Sequence, residues 1–314
     1  MIKKGYLYIL LSTLLFSITE VSLKISSTSL NPIQLTFARF LIGSIILLPV
    51  AIKNLMKKGI RLSANDYIFF TVFGFFLIPV TMLLYQMAIE YSQASIVSVL
   101  FCSNPVFVIV YSWLIFHKRL EKQTAISVIL WIVGIIVFIS PSNTSGKSTG
   151  IILAMASAII YAFCSLASRK QSEKYGGVVL TSFSFLFGSI ELILLMLVGR
   201  INGIIKIFSR AGLKILINAP LFYGINLHTL PGLLFISIFV TGLGFVFYFL
   251  AIEKTTVEQA SLTYFFKLVL APFFASIIIH ETISANMYIG IIFIVAGSFL
   301  FLLPVFQKRS KHST

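Results

Sequence analysis

YIFFTVFGFFLIPVTMLLYQMAIEYSQASIVSVLFCSNPVFVIVYSWLIF, running from Tyr67 to Phe116, contains one charged residue, Glu90. As one helix it would be about 75 Å long at ~1.5 Å per residue, more than twice the ~30 Å hydrocarbon core of a bilayer. The run must fold back, and Glu90-Tyr91-Ser92-Gln93 is the polar place for the turn. Two membrane spans, 67–90 and 94–116, are the outcome. Reading outward for further runs of roughly 20 apolar residues adds 5–25, 33–52, 123–140, 149–168, 178–198, 232–252, 257–279 and 285–305. The expected fold is an all-α polytopic membrane protein of ten transmembrane helices.

Composition agrees. Of the 314 residues 58% are hydrophobic and 11% charged, with a mean hydropathy of +1.03, whereas a soluble domain carries about 25% charge. A soluble enzyme is excluded. The net charge of +15 is resolved by its distribution. With a cytoplasmic N-terminus, sixteen of the 24 Lys and Arg fall in inside segments, five outside and three within spans. The positive-inside rule then puts both termini in the cytoplasm and reads the charge as topology, leaving no expectation of nucleic-acid binding. Met1-Ile2-Lys3-Lys4 before an apolar run imitates a signal peptide, but the run is span-length and lacks a cleavage pattern, so it is expected to be retained. Cys102 and Cys164 fall inside spans and read as packing residues.

The chain also resembles itself. At an offset of 163, Tyr85 falls on Tyr248, Ala88-Ile89-Glu90 on Ala251-Ile252-Glu253, His117 on His280 and Gly134 on Gly297. At an offset of 145, Lys24 falls on Arg169 and Gly43-Ser44-Ile45 on Gly188-Ser189-Ile190. Five spans per copy is an odd number, so the second copy enters the membrane inverted. This divides the chain into repeats at 1–148 and 149–314, the second with a long outer loop at 199–231. Inverted repeats characterise secondary transporters, whose substrate site lies near mid-membrane between the copies.

Asn31-Pro32 followed by Arg39, Ala88-Ile89-Glu90-Tyr91-Ser92, Asn104-Pro105, Ala251-Ile252-Glu253 and Ile279-His280-Glu281 together resemble the EamA-type branch of the drug/metabolite transporter superfamily. That resemblance spans residues 5–305. It implies a metabolite or amino-acid carrier, often an exporter, with a central cavity between the repeats.

Charged groups within spans cost about 2.5–3.5 kcal/mol each even on insertion scales, so each needs a partner or a purpose. Glu20 and Lys24 are spaced for a helical ion pair; alternatively one of them faces the cavity in coupling. Arg39 cannot deprotonate and reads either as a clamp on loop carbonyls or Glu20, or as the receptor of a substrate carboxylate or phosphate. Lys267, ten residues into its span, is too deep to snorkel. It is a substrate or counter-anion ligand, a buried partner of Glu191 or Glu20, or a proton-coupling group. Asn104, its counterpart in the first copy, is a further substrate-binding candidate. Glu191 is a packing carboxyl or a coupling carboxylate. Tyr85, Tyr161, Tyr248 and Tyr264 suit a cavity wall or plain packing, whereas Glu90 and Glu253 read as structural caps. Lys206, Arg210 and Lys214 share one face if the outer loop forms an amphipathic helix at the interface.

The expected function is therefore secondary transport by alternating access, with export of an amino acid or related carboxylate favoured. Uptake of a nucleotide-like or sugar-phosphate anion is the alternative, with a membrane enzyme or scaffold the minor rival. The expected partners are a small-molecule substrate, membrane lipid, and a proton or exchanged counter-substrate, in a monomer or homodimer in a bacterial inner membrane. No cofactor or metal is expected, because neither a nucleotide-binding segment nor ligands at workable spacing occur.

Overall fold

The computed structural model describes the backbone of residues 2–116, 122–139, 148–210 and 213–310. His117 lies outside these residues. Among the described residues, seven helices are long and apolar enough to cross a membrane: α1 (Lys4–Ser27), α2 (Pro32–Lys57), α3 (Ala64–Tyr91), α4 (Ala94–Ile115), α6 (Ser148–Tyr175), α7 (Gly177–Val198) and α8 (Leu230–Lys254). Three shorter apolar helices occupy the remaining expected spans: α5 (Lys122–Phe138), α9 (Leu262–Ile278) and α10 (Ala285–Leu300). The chain is an all-α polytopic membrane protein. The sequence expects 257–279 as one span, but the structure starts it as a separate turn, Val257–Ala260, before α9.

Local chemistry sets the boundaries. Asn31 Oδ1 accepts from Ile33 N (3.0 Å) and Pro32 follows at the first helical position, so α2 starts there. Asp66 Oδ2 accepts from Ser63 N (2.8 Å) and Ser63 Oγ (2.9 Å), tying down the start of α3. Gly176, at φ +92°, makes the reversal from α6 to α7, a conformation in which a side chain would be strained. α6 runs past its expected end at 168 because its polar tail is anchored. Ser172 Oγ donates to Phe249 O (2.8 Å), and Lys174 pairs with Asp66 (3.1 Å).

The outer loop holds a helix, Asn202–Arg210, with no buried residue. Leu213 N bonds back to Phe208 O (2.8 Å), the closure that ends a helix, and Lys214 opens a separate 3-10 turn, Lys214–Leu216. Lys206, Arg210 and Lys214 therefore do not line one continuous helix, contrary to their spacing. The loop is held to the bundle through Gln34 Nε2, which donates to Leu221 O (3.1 Å) and Tyr223 O (2.7 Å).

Cross-bundle contacts define two ends. Gly5 approaches Lys254, and Lys58 Nζ donates to Tyr175 O (3.4 Å), at the end that carries the N-terminus. At the opposite, loop end, Glu281 accepts from Ala94 N (2.8 Å), Ser95 N (2.9 Å) and Ser95 Oγ (2.6 Å), capping α4. Glycines let helices touch in between: Gly43 of α2 against α8, Gly74 of α3 against Gly188 of α7, and Gly134 of α5 against Gly290 of α10.

Four helices lose regularity midway. α1 is interrupted at Ile18, and α4 is interrupted at Cys102–Ser103. Two π segments interrupt α3 at Phe76–Met82, around Pro79, and α8 at Ile236–Leu243. Such wide turns accommodate a missing donor and cluster at functional sites.

Candidate functional site

Those four irregularities converge on one place. A cavity between α1, α2, α3, α4, α8 and α9 is bordered by Thr19, Arg39, Tyr85, Thr241, Tyr264 and Lys267, with Phe16, Phe101 and Phe245 among its apolar walls. Both halves of the chain contribute to it. It leaves about 20 Å³ to the centre of a water-sized sphere, space for about one or two waters. The space is narrow. A roomier hollow between α9 and α10, about 380 Å³, is lined by apolar residues and Ser298 and offers no charged group.

The cavity has a charged wall. Lys267 Nζ lies 2.6 Å from Glu20 Oε1, with both side chains almost wholly buried. Tyr85 donates its hydroxyl to the same Glu20 oxygen, and Lys267 Nζ is 3.4 Å from that hydroxyl. The ammonium also stands 5.6 Å from the Phe101 ring centre and 5.9 Å from that of Phe16, within cation–π range. Glu20, four residues from Lys24, is thus taken by Lys267 from across the bundle.

Lys24 does something else. Its Nζ donates to Ile89 O (2.6 Å), Ser92 O (2.9 Å) and Glu90 O (3.4 Å), so it satisfies the orphan carbonyls at the end of α3. The helical Glu20–Lys24 pair allowed by the spacing does not form. A cation reaching the negative end of a neighbouring helix leaves Glu20 free for Lys267.

Arg39 is 1% exposed, and its Nε and Nη2 have no hydrogen-bond partner. Its Cζ lies 4.6 Å from the Phe40 ring centre. Neither loop carbonyls nor Glu20 clamps it. Thr241 Oγ1, also on the cavity, is likewise buried without a partner. Unpaired donors of this kind are costly in a dry interior, and both residues border the cavity, where an acceptor would satisfy them.

The remaining expected residues divide. Tyr85 and Tyr264 border the cavity, while Tyr161 and Tyr248 stand one ring back. There, the ring centroids of Tyr161 and Tyr248 are 5.9 and 5.6 Å from that of Tyr264. Together with the Ser12–Thr263 hydrogen bond (2.9 Å), they form a packed layer on the side of the N-terminal end. Asn104 is buried outside the lining, its Nδ2 3.4 Å from Ala158 O. Glu191 is half-buried on α7, away from the cavity, with Oε2 unpartnered. Glu253 accepts from Gly177 N (3.1 Å) and pairs with Lys254, whereas Glu90 is exposed. Thr19 and Thr241 went unnoticed in the sequence, where nothing separates them from other threonines; only helix geometry turns them inward. Among the described residues no group of His, Cys, Asp and Glu is arranged to hold a metal.

Comparison with known proteins fits this geometry. The model of the EamA-like transporter family matches residues 3–140 and 148–303. An uncharacterized transporter of Clostridium kluyveri is 33% identical over 307 residues, which cover 95% of this chain and 93% of that one. A pseudopaline exporter of Pseudomonas aeruginosa is 25% identical over 176 residues, 56% of this chain and 60% of that protein. One crystal structure, 17% identical, matches with a TM-score of 0.68 over 96% of this chain and 98% of its own, a likeness of fold.

Proposed function

The chain belongs to the EamA-like transporter family, and from that premise we propose a secondary transporter that exports a small carboxylate-bearing metabolite, an amino acid or a related compound. The observation that carries this reading is Arg39: a buried, permanently charged guanidinium with two unpartnered donors on the wall of a narrow cavity. Thr241 supplies a further donor. Lys267 holds the opposite wall through Glu20 and Tyr85. The direction of transport leans on the relative named as an exporter.

Alternating access follows from the repeats in this reading. Residues 1–148 and 149–314 are two inverted copies, supported by Gly43 and Gly188 making corresponding cross-half contacts and by a π segment in the third helix of each half. Those wide turns and the breaks in α1 and α4 are the places where the helices bend as the cavity opens to either side. Glu281 on the α4 N-terminus and Lys24 on the α3 carbonyls close the loop end, and the tyrosine layer closes the other. In this reading the protein lies in a bacterial inner membrane, and the sixteen-to-five distribution of cations supports both termini in the cytoplasm.

Vesicles containing the purified protein, loaded with a mixture of amino acids and organic acids, test this. Release of each compound is followed by mass spectrometry. At least one carboxylate is expected to leave faster than from protein-free vesicles, and Arg39→Gln is expected to remove the difference. Equal release of every compound with and without protein would sink the reading.

A further inference from the structure

The charges around the cavity do not cancel, and the remainder defines the substrate's own charge. Arg39 and Lys267 each bring a positive charge and Glu20 one negative, which leaves a single positive excess. No other described acidic side chain corrects it. Of the nine Asp and Glu residues, Asp66, Glu173 and Glu253 pair with Lys174, Arg169 and Lys254. Glu281 is held on Ala94 and Ser95 at the loop end, Glu90 is exposed, and Glu191 is outside the lining. The side chains of Glu121 and Glu258 lie outside the described residues.

Resting on the transporter reading above, we infer that this site selects an organic monoanion with an apolar or aromatic body and no ammonium group, in preference to a zwitterionic amino acid. The anion's carboxylate takes the Arg39 donors and the Thr241 hydroxyl. Its body lies among Phe16, Phe101 and Phe245 once the helices part, because the space they now leave holds only about one or two waters. One negative charge then neutralises the dry cavity, where an unbalanced charge is expensive.

A zwitterion fares worse on two counts. Its ammonium needs an acceptor carboxylate, and the only one at hand among the described side chains already holds Lys267 and Tyr85 through Oε1. Even with the ammonium on the free Glu20 Oε2, the site keeps its positive excess, because the ligand adds no net charge. A cationic amine deepens the imbalance.

Three ligands of nearly equal shape separate these cases at neutral pH: 3-phenyllactate with charge −1, phenylalanine with none and phenylalaninol with +1. Binding is read as thermal stabilisation of the intact purified protein across ligand concentration. Phenyllactate is expected to bind at least about tenfold more tightly than phenylalanine, with phenylalaninol weakest. Arg39→Gln, which removes the excess while keeping a polar side chain there, is expected to erase the preference. Glu20→Gln raises the excess to two charges, so the dianion benzylsuccinate is expected to overtake phenyllactate; should that variant fail to fold, Arg39→Gln carries the test alone.

Phenylalanine binding as well as phenyllactate, an unchanged preference in Arg39→Gln, or no binding of any of the three overturns the inference. The two readings fail separately. Phenylalanine bound and carried across vesicles keeps the transporter and removes the charge rule. Phenyllactate bound with Arg39-dependent selectivity but never carried across keeps the charge rule and removes the transporter.

Discussion

Gly43 of α2 and Gly188 of α7 stand at matching places in the two halves of the chain, and each presses its helix against one from the other half. A Cβ at Gly43 would meet Ser237 O of α8 at 3.1 Å, and one at Gly188 would meet Gly74 O of α3 at 2.5 Å. The matching pair Asn104 and Lys267 behaves in the opposite way. Asn104 opens the second segment of a broken α4 and turns from the cavity, with Pro105 behind it. Lys267 lies within an unbroken stretch of α9, with Leu268 in place of that proline, and reaches the cavity. Arg39 and its counterpart Ser184 differ just as much. These packing positions repeat, and the two cations on the cavity do not. On the proposed reading, a duplicated scaffold moves as two similar bodies while its site, built once from unlike residues, tells one end of a ligand from the other.

The sharpest way to break this contrast is to treat Asn104 and Lys267 alike. Lys267→Met leaves Glu20 as a buried charge held by Tyr85 alone, and loss of one partner of such a pair costs about 3–5 kcal/mol. Asn104→Leu removes one long hydrogen bond and is expected to cost about 1 kcal/mol. Thermal unfolding in detergent compares them, and the double variant Glu20→Gln with Lys267→Met is expected to recover most of the loss. Equal shifts in Tm for the two single variants would show that Lys267 is no more a keystone than Asn104.

Much of this was legible before any coordinates. Chain length, the lone Glu90 in fifty residues and the placement of Lys and Arg carry the helical membrane fold, because the bilayer imposes one length and one composition on every span. Lys267 and Arg39 stand out for the same reason: charge is rare there. Partner choice was not legible. Glu20 has Lys24 one turn away and Lys267 247 positions along the chain, and which it meets depends on Lys24 finding the end of α3 instead. The π segments were hidden too. Pro79 marks the first of them, but Ile236–Leu243 has no proline to mark it. Thr241 was silent because a threonine in a helix commonly bonds its own preceding turn, and only the widened α8 aims it elsewhere.

The glycine pair sharpens the symmetric side of the comparison. Gly188→Ala puts a methyl group into the backbone of α3, and overpacking of this kind costs about 1–3 kcal/mol. Gly43→Ala meets a looser contact, and the gain of about 1 kcal/mol from better helix propensity is expected to offset most of the clash. Both are read from Tm in the same detergent. If Gly43→Ala is the more damaging, the α2–α8 contact rather than α3–α7 is the tighter joint, and the order inferred from these distances is wrong.

Lys24 and Arg169 give the smallest and most selective contrast, since the offset that joins them predicts like roles and the structure gives them unlike ones. Lys24 holds three carbonyls at the end of α3, so Lys24→Met is expected to lose about 1.5 kcal/mol, the low end for a charged hydrogen bond. Arg169 pairs with Glu173 one turn along α6 at 3.0 Å, where both side chains are 40% or more exposed. Surface pairs at this spacing contribute about 0.3–0.5 kcal/mol and are screened by salt, so Arg169→Met is expected to shift Tm little, and less again in high salt. The Lys24→Met loss should survive high salt, because its partners are neutral backbone dipoles at short range rather than a distant charge. A Lys24 effect that disappears with salt would mean that the ammonium acts on Glu20 through space, returning the helical pair that the geometry rejects.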